Sequence, residues 1–180
     1  MAHDDFAFDP APGLSHQLPE GETILWQGRP DTWRLAQESL ALKWVAVYFV
    51  LLALWRAASV WGLITPGQTV LATLPYLAMG LVAVGILVVF AWAQARATIY
   101  TITTGRVVMK IGAGLPVTYN IPYTWIANAT LDLRKGGSGT IALETMGETR
   151  FSYLMCWPHV RPWHIRQPQP ALRCIPEGER

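Results

Sequence analysis

Charge is what this sequence has least of. Asp, Glu, Lys and Arg together make up 14% of its 180 residues, against about 25% in an ordinary soluble domain. The net charge is only +2, and no clustered basic footprint stands out, so a phosphate-tracking nucleic-acid surface is excluded. Cysteine is nearly missing as well. Cys156 and Cys174 are far apart and lack CxxC spacing, which excludes a zinc ribbon and reads as two reduced thiols on the cytoplasmic side. Catalytic signatures are wanting. No Gly-rich loop ends in Lys-Ser/Thr, no GxSxG or HExxH occurs, and Gly136–Gly139 joins two strand-like runs,. Asp132 and Glu144 read as exposed strand charge rather than an acid/base pair. The chain is therefore expected not to be an enzyme. Its start, Met1 to Phe6, is acidic and has neither a basic n-region nor an apolar h-region. The first long apolar segment is then expected to serve as its own uncleaved insertion signal.

Apolar residues fill the space that charge leaves. They make up 52% of the chain, with nine Trp and a mean hydropathy of +0.25. The run from Trp44 to Ala95 is interrupted once, at Thr65-Pro66-Gly67-Gln68-Thr69, and contains one charged residue, Arg56. It predicts two transmembrane helices, over 44–64 and 74–95, joined by a tight turn, each long enough for a hydrocarbon core of about 30 Å. Arg34, Lys43, Arg96, Arg106 and Lys110 flank the open ends, and the turn has no Lys or Arg. The positive-inside rule thus predicts a multi-pass protein of the cytoplasmic (intracytoplasmic) membrane with both termini in the cytoplasm. A charge at mid-bilayer costs about 2.5–3.5 kcal/mol. Arg56 either snorkels to the far headgroups or meets an acidic or carbonyl partner on another helix. Gly80, Ala83 and Gly85 let a second backbone approach, within the hairpin or from another copy as a homo-oligomer.

The flanking regions follow different patterns. Residues 1–22 are rich in Pro and Gly and form an extended arm, either disordered or a strap anchored by Phe6 and Phe8. Residues 23–43 hold a short strand at Ile24–Trp26, stopped by Gly28 and Pro30. An amphipathic helix then starts near Trp33 and lies along the membrane interface. From Arg96 the period changes to two. Strands are predicted within 97–103, 106–111, 117–121, 124–133, 140–145 and 149–154, an antiparallel β domain over 96–155. About 60 residues are marginal for such a domain alone, and packing of the Trp26 segment would support it.

The tail, 156–180, contains Pro158, Pro162, Pro168, Pro170 and Pro176. It predicts an extended ribbon with no helix or central strand. Trp157, His159, Arg161, Trp163, His164 and Arg166 give it an aromatic-basic grain. His159 and His164 are surface histidines, or one of them ligates the magnesium of a bacteriochlorophyll or a haem iron. Five residues apart on a ribbon, they point to opposite faces, which argues against a shared metal. The fold class expected is a membrane α+β protein: a two-helix transmembrane hairpin, then a small antiparallel β domain and the Pro-rich tail.

Glu20–Pro30 before a hairpin, followed by Tyr100-Thr101-Ile102-Thr103-Thr104-Gly105-Arg106-Val107, resembles the membrane-anchored bacterial PH-like domains. More narrowly, His3–Phe8, Trp26–Asp31, Tyr48–Arg56 and Trp157–His164 resemble the photosynthetic complex assembly proteins of purple bacteria. The resemblance spreads over nearly the whole chain. It implies a non-enzymatic accessory factor whose partners are the subunits of the reaction centre and of light-harvesting complex 1, in and beside the lipid bilayer, with no cofactor of its own. The contact residues it suggests are Arg56, Gly80, Ala83 and Gly85 in the membrane, and Phe6, Phe8, Trp26, Arg29, Trp157, Arg161 and Trp163 outside it. One departure is plain: PH-like domains usually close their barrel with a C-terminal helix, and this tail does not read as one. The competing expectations are a pigment or haem carrier using His159 or His164, and a lipid- or stress-sensing PH-like module.

Overall fold

In a computed structural model, which describes residues 18–134, 137–147 and 151–176, the chain forms two units. Thr32–Trp92 is one. The other joins the residues through Asp31 to those from Ala93 onward. The arm with Phe6 and Phe8 lies outside the described residues.

The first unit is helical, with α1 (Thr32–Ser39), α2 (Leu42–Val60) and most of α3 (Pro66–Ala97). Ala41 separates α1 from α2 in a left-handed conformation, φ 54°, which costs a residue with a Cβ about 1 kcal/mol or more. Helix α1, expected from the sequence to lie along an interface, packs into this unit: Leu35 and Ala36 are fully buried while Trp33 stays exposed. Ala36, Leu40, Leu42 and Ala91 form a small core flanked by Val84, Leu87 and Val88. The buried side of α2 carries Phe49, Ala53 and Val60, and that of α3 carries Thr69, Gly80 and Ala91; their gaps of 4, 7 and 11 residues are whole helical turns, which keeps each set on one face as a seam. Gly80 is required there, because a Cβ would sit 2.7 Å from that of Phe49.

Helix α3 starts earlier than the apolar pattern predicts. Thr65–Thr69, read from sequence as a turn, is the first helical turn. The Gln68 N–H donates to Thr65 Oγ1 at 3.4 Å, and the Thr65 N–H donates to Gln68 Oε1 at 3.1 Å. This is a capping box, with Pro66 at the first helical position. The reversal falls instead at Trp61–Ile64, where Gly62 has φ 77°. Both α2 and α3 are long and apolar enough to cross a membrane by length and composition.

The second unit is two antiparallel sheets. The first has the order β1 (Ile24–Gly28), β2 (Ile99–Thr103), β3 (Arg106–Ile111), β4 (Val117–Pro122). The second has β5 (Ile126–Leu133), β6 (Gly139–Thr145), β7 (Ala171–Ile175). Alternation puts Tyr100, Val107, Met109, Ile111 and Ile121 of the first sheet and Leu143 and Leu172 of the second into one core,. Trp26 packs against that core, and its ring occupies the space a side chain at Gly28 would need.

The tail departs from expectation. The sixth predicted strand does not form: Tyr153–Cys156 is a single helical turn, α4, and residues 149 and 150 lie outside the described residues. The third strand of the second sheet is β7, from the Pro-rich tail, and every residue of it is buried. The prolines bracket this strand rather than interrupt it. Pro170 precedes it, Pro176 follows it, and the five residues between keep their N–H groups for the ladder. A bulge at Cys174, φ 54°, returns Ile175 to the core side after Leu172.

Candidate functional site

Three groups of residues place the sequence candidates. The first lies where the start of β1 meets the β2–β3 hairpin. Thr104-Gly105 turns the chain so that Thr103 and Arg106 share one end of the ladder. Glu22, just ahead of β1, reaches both. Its carboxylate accepts from Thr103 Oγ1 at 2.5 Å, from Arg106 Nε at 3.0 Å and from Arg106 Nη2 at 2.8 Å. The Thr103 hydroxyl and the Arg106 guanidinium hold the Glu22 carboxyl below the usual carboxylate range,. Tyr123 Oη donates to the Thr103 carbonyl at 2.6 Å. The sequence placed Arg106 only as a flanking charge. A carboxylate matching an arginine across 84 positions has no periodic signal to reveal it.

The second group is buried. His159 has no exposed surface. Its Nδ1 stands 2.6 Å from Tyr100 Oη and its Nε2 stands 3.0 Å from Thr98 Oγ1. The Tyr100 oxygen already accepts the Arg173 N–H at 3.2 Å, so its own hydrogen goes to Nδ1. The imidazole is therefore neutral, and Nε2–H donates to Thr98. Burial, with the nearby Arg173 charge adding to it, lowers the His159 pKa to about 3, and burial raises that of Tyr100. With both nitrogens engaged and no open side, His159 has no lone pair for magnesium or iron. It is a structural histidine that ties the tail to β2, which removes it as a pigment or haem ligand. His164 sits elsewhere: its Nδ1 contacts the Pro162 carbonyl at 3.0 Å on a loop, and the two histidines share nothing. Cys156 and Cys174 are both buried and form no disulfide. Among the described residues no cluster of His, Cys, Asp or Glu could hold a metal ion. Asp132 stands opposite Thr140 and Glu144 opposite Asn128, so these carboxylates do not face each other.

The third group is the outer surface of the helices. Arg56 is exposed and shows no ion pair among the described residues, while its neighbours Ala53 and Val60 are buried. It stands on the same helix face as Ala53 and Val60, about one turn from each, yet its side chain is exposed rather than packed into the seam. Gly80 is consumed by Phe49, but Gly85 has open space where a side chain would be, and Ala83 is half-buried. The small-residue candidates thus separate into one that packs the hairpin and one that faces outward. Of the remaining candidates, Trp26 packs half-buried against the sheet core, Arg29 is exposed, and Trp157, Arg161 and Trp163 lie on the β6–β7 connection, with exposure rising from Arg161 to Trp163.

Comparisons with known proteins complete the description. The family model for the bacterial PH domain matches residues 39–180. An uncharacterized 23.7 kDa protein in the puhA 5′ region of Rhodobacter capsulatus is 47% identical over 184 residues, covering 100% of this chain and 85% of that one. No solved structure matches.

Proposed function

Because the chain belongs to the bacterial PH domain family, with two long apolar helices between β1 and β2 in chain order, we propose that it is a membrane-anchored, non-enzymatic accessory factor, of the PuhB type, for assembly of the photosynthetic reaction centre and light-harvesting complex 1. The hairpin crosses the membrane twice and leaves both termini in the cytoplasm. Its clients are nascent subunits of those complexes. The relative in the puhA 5′ region supports a photosynthesis-gene setting. The exposed Leu51, Leu54, Leu81, Val82, Ile86 and Val89 on the helices support a lipid surround, since such a surface is unfavourable in water,.

The observation that carries the reading is Arg56. An arginine exposed on an apolar helix, with no ion pair among the described residues, is unfavourable in lipid unless it finds a carboxylate, a carbonyl or a headgroup. A client helix with an acidic or carbonyl group at matching depth provides that. Arg56→Leu is expected to keep the protein in the membrane and to reduce co-purification with reaction-centre subunits by about tenfold, the equivalent of one charge-assisted hydrogen bond at roughly 1.4 kcal/mol. Unchanged co-purification would remove Arg56 from the mechanism. A pigment-carrier reading now rests on His164 alone, and an absorbance spectrum of the gently solubilised protein tests it.

A further inference from the structure

The connection between β6 and β7 contains a second surface of distinct chemistry. Residues 161–169 form a loop with a closed neck. The Arg161 N–H donates to the Gln169 carbonyl at 2.9 Å, Arg161 Nη1 donates to Gln169 Oε1 at 3.0 Å, and Val160 bridges Pro170. Below the neck the Ala171 N–H donates to the carbonyl of buried His159 at 3.0 Å. The loop is therefore fixed at its base. Its tip presents Trp163 at 89% exposure and Ile165 at 67%. Trp163 adopts φ 67°, a conformation a bulky side chain takes only when the surrounding structure imposes it. An open recess of about 670 Å³ is lined by Trp163, His164, Ile165, Arg166 and Gln167. From Phe151 to Pro176 there are three arginines and no Asp or Glu. Arg166 is exposed and Arg161 half-exposed beside the apolar tip.

We propose that the loop 161–169 is a lipid-contact element that seats Trp163 and Ile165 in the headgroup layer of an anionic bilayer, with Arg161 and Arg166 on lipid phosphates. An exposed Trp has its most favourable surroundings where carbon can be buried and its N–H stays wet. A loop with cations and no carboxylates is complementary to a negative leaflet. A client protein is the other surface such a tip could meet. The even, one-signed charge and the lack of a paired acidic residue favour lipid.

The test uses the full chain in nanodiscs with no other protein present. Position 163 is labelled as Trp163→Cys with an environment-sensitive fluorophore; Cys156 and Cys174 are buried and stay unreacted. With phosphatidylglycerol in the disc, the emission should shift to the blue and spin-labelled lipid should quench it. With phosphatidylcholine alone the lipid-seated fraction should fall, as it should in Arg161→Gln and Arg166→Gln, by about fivefold for each arginine. Hydrogen exchange of residues 161–169 in the unlabelled chain should slow only in the anionic disc. A label quenched by aqueous iodide and untouched by spin-labelled lipid in both discs overturns the proposal. So does lipid quenching that ignores both lipid charge and the arginines, and so does protection that arises only when client subunits are added.

Discussion

The two units solve the problem of apolar surface in opposite ways. The β unit gathers Tyr100, Met109, Ile121 and Leu172 into a buried core and engages both ring nitrogens of His159. The helical unit packs small residues along its seam, Ala53, Gly80 and Ala91 among them, and turns many of its large ones outward. A unit of the first kind carries its own stability into water. A unit of the second kind depends on what surrounds it. The difference teaches that substitutions in the two units should separate cleanly by readout: unfolding of the sheets on one side, integrity and contacts of the helices on the other.

The largest expected effect breaks the β unit alone. The folded state holds His159 neutral down to about pH 3, whereas an unfolded chain protonates it near pH 6.5. Between those values the unfolded state binds more protons. The stabilisation is complete above pH 6.5 and is lost as pH falls, by about 3 kcal/mol at pH 4. Hydrogen exchange of β3 and β4 in the micelle-bound chain should show that slope, and His159→Gln should lack it. A slope shared equally by α2 and α3 would mean that the units do not unfold separately. Next in size, Gly80→Val should cost the hairpin about 2 kcal/mol by overpacking against Phe49. Helix exchange rates should rise while those of β3 stay unchanged. Smallest, Glu22→Gln weakens a pairing whose arginine is one-third exposed. Water screens it, so about 1 kcal/mol is expected, read as faster exchange at β1 with the rest of the sheet unmoved.

How legible these units are in the sequence depends on the range of the signal. The apolar helices and β2 to β6 are local, and period and turn residues mark them. The start of α3 is local too: Thr65-Pro66-Gly67-Gln68 is a capping box in plain text, overshadowed by the turn character of Pro-Gly. The remaining features are not local. β7 looks like a Pro-rich coil until its pairing with β6, some 30 positions earlier, is known. His159 lies among prolines and arginines, which reads as surface. It is buried because Thr98 and Tyr100, about 60 positions upstream, satisfy both its nitrogens. Tyr100 and Thr103 were legible as strand residues, but nothing in strand alternation says that one would hold a histidine and the other a carboxylate.

β1 pairs with β2, yet Gly28 stands opposite Tyr100, so the whole helical hairpin is made between them. At about 5–20 residues per second, a ribosome needs roughly 4–14 s to travel from one partner strand to the other. During that interval β1 has no ladder to join. It finds one only after both apolar helices have left the ribosome. Closing the first sheet is therefore a late event in synthesis, and a finished β unit certifies that the hairpin ahead of it has already been made.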